Sequence, residues 1–200
     1  MAEYFQIETH QLPNKNFILV NAPEQVMTEI KEQVDAIMSG AKTPVMFNSR
    51  LAGQIKGEFA LELSDASKKL IELLGAEYLK RNNLDVADAV KFQESWVNLQ
   101  VKHEYNPLHD HSGVLSWVIW VNIPYDLEEE LKMFPTAKNQ DVSMFSFVYT
   151  TVLGEIASFN LCIDKSWEGR MAIFPAKMKH QVSPFYTSDG VRISVAGNLG

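Results

Sequence analysis

The stretch NPLHDHSGVLSWVIWVN, residues 106–122, contains the two features that decide the fold class of this chain. Its second part, residues 114–122, is rich in β-branched and aromatic residues and is apolar on both faces, which is typical of a central, covered strand. Its first part places His109 and His111 on either side of Asp110. If the backbone is extended there, both imidazoles project from one face, because the side-chain period of a strand is two. We therefore expect a β-sheet with a pair of ligands beside a central strand.

The sequence on both sides of this stretch predicts further short strands. They are expected at residues 96–102, 144–151, 156–163, 170–174, 180–184 and 191–196. Turn-forming residues separate them, and we expect the acidic run 126–130 to be a solvated loop. Strands without intervening helices indicate an antiparallel sandwich or barrel, so the fold class is mainly β within an α+β chain.

The first half of the chain predicts two amphipathic helices. Apolar residues recur with a period of 3.6 in residues 24–39, and a second helix is expected over 65–81 with Ser64 as its N-cap. Their apolar stripes are expected to cover one face of the sheet. We predict a single domain over 1–200, with a helix-rich part at 1–90 and a β core at 91–200.

The composition excludes several classes of protein. The 200 residues carry 18 Lys and Arg against 25 Asp and Glu, and a net charge of −7 disfavours non-specific nucleic-acid binding. A single cysteine, Cys162, excludes an intrachain disulfide and a four-thiolate zinc site, and we expect it to be buried in a strand. No apolar run is long enough to span a membrane, and no secretory signal is recognisable, so we expect a soluble cytoplasmic protein.

His109, His111 and His180 are the candidate metal ligands. Two imidazoles at i and i+2 with a third from a distant strand can occupy one face of a metal and leave other positions open. The pair alone is a weak motif, so a surface loop remains an alternative. His180 alone is equally compatible with a hydrogen-bonded strand histidine.

Arg192 and Ser194 are the candidate residues for binding an anion. Strand alternation places them on the face opposite Val191, Ile193 and Val195. An inward-facing arginine needs an anionic partner, and its guanidinium can bind a carboxylate with two hydrogen bonds. An internal ion pair with an Asp or Glu of this chain is the alternative.

Taken together, these motifs resemble the 2-oxoglutarate/Fe(II)-dependent oxygenase superfamily, and more narrowly the oxygenases of marine bacteria and their tailed phages. The resemblance covers roughly residues 48–198. It rests on the following segments: Leu51-Ala52-Gly53-Gln54-Ile55, Asn106-Pro107-Leu108-His109-Asp110-His111, Leu115-Ser116-Trp117, Ile123-Pro124, Phe174-Pro175, His180, Pro184-Phe185-Tyr186, Arg192-Ile193-Ser194 and Gly197-Asn198.

The resemblance implies a double-stranded β-helix, or jelly-roll barrel, whose cofactors are Fe(II) and 2-oxoglutarate and whose co-substrate is O2. By analogy, His109, His111 and His180 hold Fe(II), Arg192 binds the distal carboxylate of 2-oxoglutarate, and Ser194 assists. Most of the superfamily has His-x-Asp/Glu where this chain has His111. Asp110 is therefore an alternative ligand, although it would point to the opposite face of an extended strand.

The resemblance also implies a dioxygenase, a hydroxylase acting on an unknown small-molecule or protein substrate. The possible pocket residues are Trp96, Asn98, Gln100, Tyr105, Trp117 and Asn198. A metal-binding jelly-roll module without turnover, or a structural protein, is the alternative. A homodimer is possible, as is a phage-encoded origin.

Overall fold

The computed structural model describes residues 15–84 and 90–200, in which β-strands dominate. The strands are β1 (Ile18–Asn21), β2 (Gly57–Ala60), β3 (Phe92–Gln100), β4 (Asn106–His109), β5 (Leu115–Asn122), β6 (Phe145–Thr150), β7 (Ile156–Leu161), β8 (Arg170–Pro175), β9 (His180–Val182) and β10 (Arg192–Leu199). The helices are α1 (Glu24–Met38), α2 (Asp65–Arg81) and the short α3 (Leu127–Lys132). The expected mainly β composition with few helices is therefore confirmed.

The strands form two antiparallel sheets. The larger sheet has six strands in the order β1-β8-β5-β10-β3-β2, and the smaller has four in the order β4-β9-β6-β7. From β3 onward the chain passes repeatedly from one sheet to the other, so most neighbouring strands are distant in sequence, with the β6–β7 pair as an exception. Strand β5 is central and almost wholly buried, as its apolar residues on both faces predict.

Two apolar clusters cover the two faces of the larger sheet. The outer cluster joins buried residues of α1 and α2 to alternate residues of the sheet, among them Ile30, Ile71 and Ile119. The inner cluster joins the sheet to the smaller one and includes Trp120, Phe147 and Phe174. Because strand residues alternate between these faces, the residues of β3 and β10 that point away from the helices face the space between the sheets.

Both N-terminal helices lie where their periodicity predicts them. Helix α1 ends one residue before the predicted boundary, and α2 has the predicted limits. The Ser64 side chain accepts a hydrogen bond from the backbone N–H of Ser67, which is the predicted N-cap. No helix within 15–84 or 90–200 is long and apolar enough to cross a bilayer.

Two local expectations are wrong. Part of the acidic run forms α3, whose N-cap is Asp126. Glu130 is fully buried, and hydrogen bonds from Ser143, Tyr186 and Thr187 satisfy its carboxylate there. Cys162 is exposed, because it follows the edge strand β7, which has a neighbour on one side only. The short strands β1, β2 and β4 were not among the predicted strands, since each has four residues and little alternation.

Candidate metal centre

The three candidate histidines lie together at one end of the space between the sheets. His109 closes β4 and stands opposite His180, the first residue of β9, in the antiparallel register. His111 follows on a loop whose backbone N–H donates to the Ala176 carbonyl at 2.9 Å. One ring nitrogen of each histidine lies within 4.8 Å of one ring nitrogen of the other two. The two strands and the loop therefore converge on one point.

The rings are neutral and two of them have their tautomer fixed. His109 Nδ1 contacts the Pro107 carbonyl at 2.6 Å, and His180 Nδ1 contacts the Met178 carbonyl at 2.9 Å. Each Nδ1 is then the protonated donor, which leaves Nε2 with a free lone pair. Burial lowers the pKa of all three rings, that of His111 to about 4. Three neutral imidazoles suit a first-row divalent metal.

Asp110 lies away from this cluster. Its carboxylate pairs with Lys179 Nζ at 2.5 Å and with Lys177 Nζ at 3.4 Å. The hydrogen bond from Lys179 lowers the pKa of Asp110. Among the described residues, the group able to hold a metal consists of His109, His111 and His180 without it.

Arg192 is buried at the start of β10, and its five N–H groups all have neutral acceptors. Nε and Nη2 donate to Gln100 Oε1, Nη2 also donates to the Ser183 carbonyl, and Nη1 donates to Tyr125 Oη and the Ser143 carbonyl. No carboxylate of residues 15–84 or 90–200 forms an ion pair with it. Within this described part of the chain the internal ion pair left open above is absent, and no carboxylate compensates the buried positive charge.

One partly open cavity links the histidines to Arg192. Its wall includes residues of both sheets and of the loop before β2: Leu51, Ala52, Gly53, Glu58, Trp96, Asn98, Asn106, His109, His111, Trp117, Val118, Trp120, Phe145, Ile163, Phe174, His180, Val182, Arg192, Ser194 and Ala196. Ser194 lies beside Asn98 across the β3–β10 pair, and Asn98 Nδ2 donates to Ser194 Oγ at 3.3 Å. The three candidate metal ligands and the buried cation of Arg192 therefore line the same cavity.

Some of the expected pocket residues line the cavity, and others do not. Trp96 and Asn98 line the cavity, and the Trp96 ring lies 5.3 Å from that of His111. Gln100 lies behind Arg192 and positions it. Trp117 also lines the cavity, although its ring belongs to the helix-side cluster and packs on Phe92.

Tyr105 and Asn198 lie outside the cavity wall. Tyr105 is exposed, and its carbonyl accepts the N–H of Gln54. Asn198 is buried in a separate network, in which it accepts from Ser116 and donates to Glu94.

Sequence reasoning missed three polar residues near the cavity. Glu58 on β2 and Asn106 on β4 line the cavity. Glu130 accepts hydrogen bonds from Ser143 and Tyr186 and so fixes the two segments whose carbonyls, at Ser143 and Ser183, bind Arg192. Asn106 lies within the motif quoted above, which was a signal, whereas Glu58 and Glu130 had no recognisable spacing to the histidines.

The chain was compared with known families and structures. A family profile described as "Putative 2OG-Fe(II) oxygenase" matches residues 94–198, just over half of the chain. Curated proteins gave no match. A prolyl-4-hydroxylase from Pseudomonas putida superposes with a TM-score of 0.56 at 12% identity, over 92% of each chain.

A second solved structure is a viral collagen prolyl hydroxylase from Paramecium Bursaria Chlorella virus-1, in a 2OG complex. It superposes with a TM-score of 0.54 at 10% identity, over 90% of this chain and 93% of that one. At these identities the two structures indicate a shared fold alone.

Proposed function

The chain belongs to the 2OG-Fe(II) oxygenase family, and from this premise we propose that it is a dioxygenase whose site is built on His109, His111 and His180. Enzymes of this family depend on Fe(II) and 2-oxoglutarate. The observation that carries the assignment to these residues is the neutral triad sharing a cavity with an uncompensated Arg192.

The proposed fold is a double-stranded β-helix that forms one domain. The four strands β8-β5-β10-β3 face β4-β9-β6-β7, and consecutive strands mostly alternate between these two sets. This order supports a jelly roll, and the helices α1 and α2 cover the outer face of the larger sheet. The metal ligands then come from the smaller sheet and its adjoining loop, which are open to the cavity.

The three imidazoles fit Fe(II), because burial keeps them unprotonated and their lone pairs converge. A face of three neutral ligands leaves positions free for 2-oxoglutarate and O2. When bound, the iron and 2-oxoglutarate supply the oxidative chemistry that hydroxylates a substrate C–H bond. The protein contributes the ligand positions, the cosubstrate orientation and the exclusion of bulk water.

We assign the distal carboxylate of 2-oxoglutarate to Arg192. A buried guanidinium surrounded by neutral acceptors is costly, and a carboxylate would compensate its charge. Because all five N–H groups are occupied, the carboxylate would replace one neutral acceptor. Ser194, two residues further along β10 on the same face, has a hydroxyl that can donate a second hydrogen bond.

Anaerobic titration of the metal-free chain with Fe(II) and then 2-oxoglutarate tests this proposal. A visible charge-transfer band that needs both additions is expected, because it reports chelation at an open iron site. H180A is expected to abolish the band, and R192M is expected to shift its 2-oxoglutarate dependence at least tenfold upward. R81M is the matched control, since Arg81 is a surface residue paired with Glu77. Tight zinc binding without any band would instead favour a metal-binding module without turnover.

A further inference from the structure

Glu58 is a buried carboxylate without a cation. Its side chain is fully buried on β2, and none of the ion pairs among the described residues involves it. Oε2 accepts a hydrogen bond from Asn48 Nδ2 at 3.2 Å, whereas Oε1 has no partner. Burial of an unpaired carboxylate is costly, so a ligand that supplies positive charge would be favoured here.

Other acceptors without partners lie in the same wall. The Oδ1 atoms of Asn98 and Asn106 are buried without a hydrogen bond, and both residues line the cavity with Glu58. Asn98 is the cross-strand partner of Glu58. Three oxygens from three strands therefore form a patch of acceptors that no N–H or O–H of the described residues satisfies.

Gly53 packs directly against this patch. A Cβ on that residue would stand 2.2 Å from Glu58 Oε1 and 2.4 Å from Asn106 Oδ1. The two oxygens therefore converge beside Gly53, and a side chain at this position would displace them. Rotating the Asn106 amide would give Glu58 one N–H donor, but it would leave the carboxylate charge uncompensated.

From this geometry we propose that the acceptor patch of Glu58, Asn98 and Asn106 binds an aliphatic ammonium group of the primary substrate. An ammonium offers several N–H donors and one positive charge, which matches the neutral amide oxygens and the single carboxylate. A divalent cation is less suited, because it usually takes six or more oxygens in a site of higher negative charge.

The patch lies beside the candidate metal centre. Asn106 is on β4, three residues before His109, and Trp96, two residues from Asn98, has its ring 5.3 Å from that of His111. Burial, together with the negative charge of Glu104, raises the pKa of Glu58 to about 7, as expected for a carboxyl that lacks a cation. An amine held here would place its alkyl chain in the cavity. The inference rests on the proposed function in taking that alkyl chain to be the part that is oxidised.

Calorimetric titration of the 200-residue chain with Zn²⁺ and n-butylammonium chloride tests the patch without requiring turnover. We expect saturable binding that 1-butanol, the neutral analogue, does not reproduce. E58Q is expected to weaken it at least tenfold, and G53A is expected to do the same because it fills the patch while retaining the carboxylate. E62Q is the control, since Glu62 is exposed and four residues along the chain.

Several results would overturn the proposal. They are the absence of saturable amine binding, equal binding by E58Q, or displacement of the amine by Ca²⁺ at equal concentration. A parallel titration with Nα-acetyl-L-lysine N-methylamide distinguishes a lysyl side chain from a free amine, and either source satisfies the proposal. Amine binding in a protein that gives no charge-transfer band would refute the oxygenase assignment and leave the ammonium site standing.

Discussion

The replacement of Glu58 by Gln is expected to stabilise the metal-free protein at high pH. Glutamine has nearly the same shape and retains an oxygen for Asn48, but it carries no charge. The wild-type protein must hold an ionised carboxylate inside the cavity wall above neutral pH, without a cation beside it. The variant is free of this cost, so the difference between the two proteins should depend on pH.

The sign and size of the effect come from the pKa of Glu58. That pKa is raised from 4.5 to about 7 on folding, so between these pH values the folded protein holds a proton that the unfolded chain has lost. Stability therefore falls as pH rises, and the loss is complete above about pH 7. At roughly 1.4 kcal/mol per pKa unit the full cost is about 3 kcal/mol. Relaxation of the folded protein around a buried charge reduces the expected cost to about 1–2 kcal/mol.

Urea denaturation at pH 5 and pH 8 in the presence of a chelator measures this difference. E58Q should gain about 1–2 kcal/mol over the wild type between the two pH values, while E62Q follows the wild type. The histidines of the unfolded chain also take up protons in this range, but equally in all three proteins, so their contribution to the difference cancels. Parallel stability curves for wild type and E58Q would refute the assignment of an unpaired charge to this site.

Three further predictions concern the metal site, the sheet and the loops. Zn²⁺ affinity should fall less than about twofold between pH 8 and 6.5, because burial lowers the pKa values of the three histidines. If the three imidazoles had ordinary pKa values, protonation would lower the affinity about eightfold over the same range, and isothermal titration distinguishes the two outcomes. G197A should lose about 2 kcal/mol of unfolding free energy, measured by urea denaturation, because its Cβ would stand 2.4 Å from the Glu94 carbonyl and 2.6 Å from the Trp117 ring. Unchanged stability would contradict this close packing. E130A should lose about 3 kcal/mol of unfolding free energy, because the buried N–H groups of Tyr186 and Thr187 lose their acceptor. The variant should also bind 2-oxoglutarate more weakly. An unaltered charge-transfer titration would exclude a positioning role for Glu130.

Residues within long strands were well predicted from the sequence. The alternation of β10 places Arg192 and Ser194 on one face, and that of β3 places Asn98 and Gln100 on one face, as observed. Periodicity alone was enough there, because each strand has one helix-facing side and one cavity-facing side. The same alternation puts the Trp117 ring in the helix-side cluster, although Trp117 is still among the residues that line the cavity.

The acceptor patch was not predictable in the same way. Glu58 lies on a four-residue edge strand, and its neighbours come from residues 48, 53, 98 and 106, which only the folded sheet brings together. Glu130 was assigned to solvent because three acidic residues precede it within five positions. Its backbone donors, Tyr186 and Thr187, lie more than fifty residues away on another loop. The homodimer and the marine or phage origin stay predictions.

The central position of β10 has a consequence for how the protein is made. This strand is the last of the described ones along the chain, yet it lies between β3 and β5 in the middle of the larger sheet. During vectorial synthesis, β3 and β5 are complete long before the strand that joins them leaves the ribosome. Until then the edges of β3 and β5 that β10 will join have no native neighbour, and the nascent chain is exposed to mispairing and aggregation. The larger sheet is therefore completed late and in one step. The yield of folded protein should then depend on chaperones and on an intact β10.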